Sequence, residues 1–466
     1  MENRLTFKFV ILFLLIGLVG IIALKAGFNN QQIIALSIFS ASVFATLLFW
    51  DFRVAIAFLG IAVLLATKTI NLENLVKFAS LEVILFLVGM MVLVGMLKES
   101  GVFAWLVTLI LRIKNLTAAK FVAIISVMSA LLACCVDEVT SIVFMAAAIL
   151  EICDYFEVEP TPYIIISVLA TNIGSSGTVL GNPIGILIAS KSGLTFEDFL
   201  FKAFPLMLVC LLAVILIVIL WYHKAIKVLE EKIKESQANE FLIRLISVPP
   251  ERRLKLGLII FGVTLLSIAF HHRLEILWNL ETNTLLLVMP LISAGGIMIW
   301  HWKKARAYIE KDVDWWTLLF FMLLFAKAGT LKYTGATEVI AKRIVYLVKG
   351  NPEILISALL WMSTLGSSIL DNVVLVAAFI PVVQSFKDLG FVLEPLWWAL
   401  LFGGCLGGNI TLIGSTANIV ALGLLEKERN IRMTFFHWFW IGLTVGVITT
   451  AIVWIALLTL PIYYVK

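Results

Sequence analysis

Charge is scarce in this chain of 466 residues: Asp, Glu, Lys and Arg make up only 14%, against 62% hydrophobic residues. Soluble domains carry about 25% charged residues, so the composition excludes one. The net charge of +5 is small and dispersed, which argues against a nucleic-acid partner. Cysteine is equally sparse. All five thiols, Cys134, Cys135, Cys153, Cys210 and Cys405, sit in apolar stretches, where they pack as small hydrophobes and imply no disulfide framework. There is no G-x-x-x-x-G-K-[ST] phosphate loop, no H-E-x-x-H zinc helix and no pairing of a nucleophile with a base, so ATP-driven pumping, zinc proteolysis and other catalysis lack their machinery. His223, His271, His272, His301 and His437 lie at borders of apolar runs or in loops and suggest no role. Long polar stretches are missing too, except for His223 to Lys255.

What the chain does have is a succession of apolar runs, each near the ~20 residues that cross a hydrocarbon core of about 30 Å. The first follows Arg4 and Lys8 and reaches Leu24. It is too long for a signal segment and has no A-x-A site, so it predicts an uncleaved helix. Apolar runs read against turn residues predict crossings near 9–24, 32–50, 54–67, 80–97, 162–190, 201–222, 256–270, 283–300, 315–332, 396–424 and 434–460. Two further apolar pairs, 117–133 with 138–155 and 352–370 with 371–388, each meet at an acidic residue and predict re-entrant hairpins. The expected fold is therefore an all-α polytopic membrane protein of about 11 crossings plus two hairpins.

Cytoplasmic loops should hold the excess of Lys and Arg. With the N-terminus inside, the inner segments hold 21 basic residues, Arg53 among them, and the outer ones hold 8. That count places the stretch 223–255 in the cytoplasm, as a linker between two membrane halves.

The halves share a register. Leu81 to Gly101 overlies Trp315 to Gly335 at an offset of 234, which also joins Asp137 to Asp371. TVLGNPIGI from Thr178 matches TLIGSTANI from Thr411 at 233, and Asn172 lies 237 residues before Asn409. In the topology above, the two copies run in opposite directions. Inverted repeats with interrupted helices are the architecture of secondary transporters, which bind substrate at the repeat interface near the midplane. The expected organisation is 1–79, N-terminal helices; 80–222, first repeat; 223–255, linker; 256–313, scaffold helices; and 314–466, second repeat.

Two kinds of element could carry the chemistry. The hairpins turn at Asp137-Glu138-Val139-Thr140 and at Asp371-Asn372. An ionised carboxylate at the bilayer centre costs about 2.5–3.5 kcal/mol, which marks such residues as functional candidates. The alternative is that each Asp merely caps the helix it precedes, and the two roles are compatible. The long crossings are interrupted by Asn172-Ile173-Gly174-Ser175-Ser176-Gly177-Thr178-Val179-Leu180-Gly181-Asn182-Pro183 and by Gly407-Gly408-Asn409-Ile410-Thr411-Leu412-Ile413-Gly414-Ser415-Thr416-Ala417-Asn418. Irregular backbone at that depth must line protein or a wet cavity. Half-helix N-termini there would offer N–H groups to an anion, while freed carbonyls and hydroxyls would coordinate Na⁺. Close helix packing through small residues is the other reading. Lys327 is a lone ammonium within an apolar span; the readings open to it are snorkelling to the outer surface, neutralising Asp371 or occupying a cation site. The adjacent Cys134 and Cys135 would suit a soft substrate such as trivalent arsenic, or simply pack.

At these residues the sequence resembles the ion transporter superfamily, and most closely its arsenite permease and P protein branch. The stretches ATNIGSSGTVLGNPIGILIASKSGLTFEDFL, SSILDNVVLVAAFIPVV and GGNITLIGSTANIVALGLLEKE carry the likeness. The resemblance implies a scaffold and a mobile transport domain, an elevator-like movement and a homodimer formed through the scaffold. Onto this chain it carries Asp137, Thr140, Asn172, Thr178, Gly181, Asn182 and Pro183, and then Asp371, Asn372, Asn409, Gly414, Ser415 and Asn418. Two departures stand out: Glu138 replaces the asparagine usual after the first hairpin Asp, and Asn182-Pro183-Ile184-Gly185 lacks the usual acidic residue and later asparagine. Three acids, Asp137, Glu138 and Asp371, with no base unless Lys327 reaches them, favour Na⁺, H⁺ or a neutral solute over a multivalent anion. The expected function is a secondary transporter of a small inorganic ion coupled to H⁺ or Na⁺, with no other cofactor. A sodium-coupled citrate or dicarboxylate symporter and an ion channel are the alternatives.

Overall fold

The computed structural model describes residues 2–49, 52–102, 105, 116–237, 252–281 and 284–464. Apolar sequence with no water to solvate its backbone must satisfy every N–H and C=O internally, and the chain does so with helices throughout these residues. In chain order they are α1 (Glu2–Lys25), α2 (Asn30–Leu48), α3 (Arg53–Ala66), α4 (Leu72–Phe78), α5 (Leu81–Glu99), α6 (Ala118–Cys135), α7 (Glu138–Phe156), α8 (Thr161–Gly174), α9 (Pro183–Ser192), α10 (Phe204–Trp221) and α11 (His223–Gln237). The second half holds α12 (Arg252–Ala269), α13 (His271–Trp278), α14 (Thr284–Trp300), α15 (Trp315–Tyr333), α16 (Ala336–Leu347), α17 (Pro352–Ser367), α18 (Asn372–Ser385), α19 (Glu394–Gly407), α20 (Thr416–Arg429) and α21 (Phe435–Thr459). Among the described residues, 8 helices are long and apolar enough to cross a membrane, or up to 11 if each of three sharply bent pairs counts once. Large apolar side chains such as Phe13, Leu14, Leu216, Leu220 and Ile299 stay exposed, as lipid-facing residues do. The chain is a multi-pass membrane protein.

Both hairpins and both interrupted crossings form. Helices α6 and α7 turn at Val136–Asp137, and α17 and α18 at 368–371. Helix α8 stops at Gly174 and resumes as α9 at Pro183; α19 stops at Gly407 and resumes as α20 at Thr416. Asparagine and serine at the restart points, Asn182 and Ser415, accept hydrogen bonds from the new helices' first amides, and Pro183 fills a first-turn position that lacks a backbone partner anyway.

The arrangement of these pieces shows how the halves are opposed. The hairpin tips meet head to head through Asn372 and Glu138. From that junction α20 begins beside the second tip, where Thr416 donates to Asp371, and runs along α7 until Arg429 pairs with Asp154 at the base of the first hairpin. In the other direction α9 runs along α18 until Gln384 donates to the Lys191 carbonyl at the base of the second hairpin. The two bases therefore lie at opposite ends of the molecule.

Matched contacts define the repeat register. A Cβ on Gly174 would lie 2.2 Å from the Ala130 carbonyl oxygen, and one on Gly407 would lie 2.2 Å from that of Thr364. Each glycine is what lets the broken helix touch the hairpin. Thr178 donates to the Cys134 carbonyl, and Thr411 to that of Ser368. These pairs put Gly174, Thr178 and Asn182 opposite Gly407, Thr411 and Ser415, at an offset of 233. The expected match of Asn172 with Asn409 at 237 is thereby corrected: at 233 the position matched to Asn172 is Cys405 and that matched to Asn409 is Ser176. Glycine contacts set the register, and shared asparagines do not.

The linker is partly helical. Helix α11 buries Ile226, Leu229 and Ile233, and its Glu230 carboxylate accepts from the Ala118 N–H at 2.7 Å, capping the first hairpin where helix amides lack partners. Residues 238–251 of the expected linker lie outside the described residues.

Candidate functional site

Each hairpin tip is built around a carboxylate that caps the returning helix. Asp137 accepts from the Thr140 N–H at 2.8 Å and from its hydroxyl at 2.7 Å. Asp371 accepts from the N–H groups of Val373 at 3.0 Å and Val374 at 3.3 Å, and from the Thr416 hydroxyl at 2.8 Å. Both acids thus cap as the alternative reading expects, and Asp371 in addition ties the second hairpin to the second broken helix.

Glu138 is the point on which the elements converge. Its buried carboxylate accepts from Asn372 Nδ2 at 3.1 and 3.3 Å and from the Ser415 hydroxyl at 3.4 Å; the Asn182 side chain lies close by, and the charges of Asp371 and Asp137 act on it. Four segments contribute: two hairpin tips and the two loops of the broken helices. Glu138 and Asn372 occupy matched positions in the repeats, so they face each other across the pseudo-two-fold relation. Two carboxylates there would repel; a carboxylate against an amide makes a charge-assisted bond.

Beside this junction lies an asparagine network. Asn172 Nδ2 donates at 2.9 Å both to Asn409 Oδ1 and to Asn418 Oδ1. Asn418 Nδ2 donates to the carbonyls of Gly408 at 2.7 Å and Thr411 at 2.8 Å. Asn182 Nδ2 donates to Ser175 Oγ at 3.0 Å and to Cys405 Sγ at 3.1 Å. Asn418 thereby satisfies carbonyls that the second interrupted helix leaves open. Gly181 and Gly414 lie in the same loops, packed against backbone of Ser175 and Gly408. The structure thus brings together the tips and both loops, with Thr178 and Thr411 fastening loop to hairpin and Thr140 held within the first tip.

Lys327 sits elsewhere. Its buried ammonium donates to Ser42 of α2 and fills the space that Gly60 of α3 leaves, where an added Cβ would lie 2.7 Å from Nζ. It neither snorkels outward nor takes Asp371 as its hydrogen-bond partner. The cation the sequence reading missed is Arg53. Counted among loop residues, it is only 4% exposed, stacks over the Phe320 ring at 5.0 Å, and its charge interacts with those of Asp371 and Asp314. Its place at the head of an apolar helix hides this role from a one-dimensional reading.

Among the described residues no three of His, Cys, Asp and Glu converge closely enough to hold a metal ion. Cys134 donates to the Gly174 carbonyl at 2.9 Å and so ties hairpin to broken helix, whereas Cys135 is half-buried.

A family model described as "Citrate transporter" matches residues 44–403 and 328–464. An uncharacterized transporter of Mycobacterium tuberculosis is 30% identical over 352 residues, covering 74% of this chain and 79% of its own length. A 46 kDa membrane protein of Mycobacterium leprae is 28% identical over 412 residues, 85% of this chain and 91% of its own. The human P protein is 28% identical over 506 residues, 92% of this chain and 60% of its own. With its paired hairpins and broken helices, the chain belongs to the citrate transporter family of the ion transporter superfamily and is a membrane transporter.

Proposed function

We propose that the chain is a secondary active transporter of a small inorganic ion, coupled to H⁺ or Na⁺, and that a domain made of hairpins and broken helices slides against the remaining helices to carry the site across. One observation carries the reading: both hairpin tips and both broken-helix loops converge on Glu138, with Asp137 and Asp371 close enough for their charges to act on it. Three acids gathered between opposed repeats suit a cation or a proton. A coupling Na⁺ would take loop carbonyls and hydroxyls as ligands beside a single hairpin carboxylate, since among the described residues the carboxylates do not cluster into a cage. The count of basic residues supports a cytoplasmic N-terminus and linker in a cell membrane.

A second reading, a sodium-coupled citrate or dicarboxylate symporter, draws support from the base of the second hairpin. There a 590 Å³ cavity lined by Lys191, Lys332 and Lys387, against Asp388 and Glu394, adjoins a 220 Å³ cavity lined by Lys77, Lys191 and Lys332 with no acid among the described residues. Lysines around a mouth attract anions.

The experiment is reconstitution of wild type, Asp137→Asn and Asp371→Asn in liposomes, with H⁺ and Na⁺ gradients imposed and arsenite, Na⁺, citrate and succinate offered in turn. Saturable, gradient-dependent uptake that both variants reduce is the expected result. Variants that transport like wild type would refute the site, and currents far faster than a turnover cycle would make it a channel.

A further inference from the structure

Helices α15 and α18 run parallel in contact. Lys332 donates to Gln384 at 2.9 Å, and one cavity is lined by Phe325, Ala328 and Lys332 from α15 and by Ala377, Ile380 and Gln384 from α18. The members of each pair are 52 residues apart. Followed back toward the start of both helices, the same register sets Phe320 level with Asn372 and Leu319 level with Asp371. Arg53 stacks on the Phe320 ring at 5.0 Å, and the Thr317 hydroxyl lies 3.4 Å from its Nη2. The guanidinium is therefore held by α15 at the level where the second hairpin presents its carboxylate, and the charge of Asp371 acts on it.

We propose that Arg53 is a positioning residue that latches the second hairpin to α3 and α15 by attracting Asp371. This rests on the sliding-domain reading above, in which α3 and α15 belong to the stationary part and α18 to the moving one. Among the described residues, the charges that act on Arg53 are those of Asp371 and Asp314, and Asp371 also acts on Glu138. A cation bound at the hairpin tip competes with Arg53 for the same carboxylate, so filling the site and releasing the latch become one event. An empty domain stays where it is. A carrier of this design exchanges one bound ion for another and leaks little when unloaded.

The test reads position rather than transport. Lys332→Cys with Gln384→Cys places a thiol on each side of the contact, and a flexible bismaleimide reports how often the two helices lie in this register, against each single-cysteine variant as background. Arg53→Gln and Asp371→Asn should each lower the cross-linked fraction about threefold or more, within the range of coupling between interacting residues. Combined, they should lower it no further than either alone, and Arg53→Lys should restore part of the loss. Unchanged yields, or effects that multiply as independent events, would overturn the latch. If Arg53→Gln fails to fold, Arg53→Lys takes its place: its loss should vanish in the Asp371→Asn background, whereas a loss that persists there would overturn the latch, because Asp371 also caps α18 and holds Thr416. Because no substrate is involved, a failed transport screen would leave this result standing, and a failed cross-link would leave the site assignment standing.

Discussion

The glycines that end α8 and α19 allow a prediction in which the sign itself is diagnostic. Alanine is favoured over glycine in a helix by about 1 kcal/mol, so Gly→Ala should stabilise wherever space allows. Gly295 and Gly296 of α14 have nothing within 4 Å of an added methyl, and Gly296→Ala should raise thermal stability. At Gly174 and Gly407 the added Cβ would lie 2.2 Å from a carbonyl oxygen of the neighbouring hairpin helix. A carbon approaches a carbonyl oxygen to about 3.3 Å at closest, so hairpin and broken helix must part by roughly 1 Å. Overpacking of this kind costs about 1–3 kcal/mol, which outweighs the propensity gain, and the obstructing atoms are backbone. Gly174→Ala and Gly407→Ala should both lose stability, to a similar degree because the two contacts are the same contact repeated. The assay is the midpoint of heat-induced loss of the monodisperse peak in detergent, with Gly296→Ala as reference. If Gly174→Ala or Gly407→Ala is as stable as Gly296→Ala, the close packing of hairpin on broken helix is wrong.

Other outcomes follow from contacts away from the tips. Lys202 and Glu394 form a largely buried ion pair, with side chains 9% and 10% exposed; Glu394→Ala should cost about 3 kcal/mol, the low end for breaking such a pair, since Asp198 also lies 3.8 Å from the ammonium, and the same heating assay would measure it. Glu230→Ala removes the cap on the first hairpin, worth about 1 kcal/mol, and should speed amide exchange at Ala118 about fivefold; unchanged exchange would mean the linker helix does not hold that end.

Much of this was readable in one dimension because the membrane makes polar residues expensive. Asp137 and Asp371 mark the hairpin turns for that reason, and runs of Gly, Asn and Ser mark the interrupted crossings. The repeat was legible too, although Asn172 and Asn409 misled: identical letters suggested equivalence, whereas the two side chains are hydrogen-bond partners of each other. What stayed hidden depends on distant partners. Arg53 looked like a loop residue because nothing local says that its helix starts beside Phe320. Lys327 looked like a counter-charge because Ser42 and Gly60, which accommodate it, come from helices far away in the chain. The bends after α12, α14 and α15, of 66°, 103° and 71°, were missed because apolar runs report length and not direction.

The unlike pair at the meeting of the tips has an evolutionary consequence. A duplicated unit begins with the same letter twice, yet here one copy carries Glu138 and the other Asn372. Two copies of the first half would bring glutamate against glutamate, and two of the second would bring only amides. Neither half could replace its sibling at this junction, so the difference between the two copies is what binds them into one product.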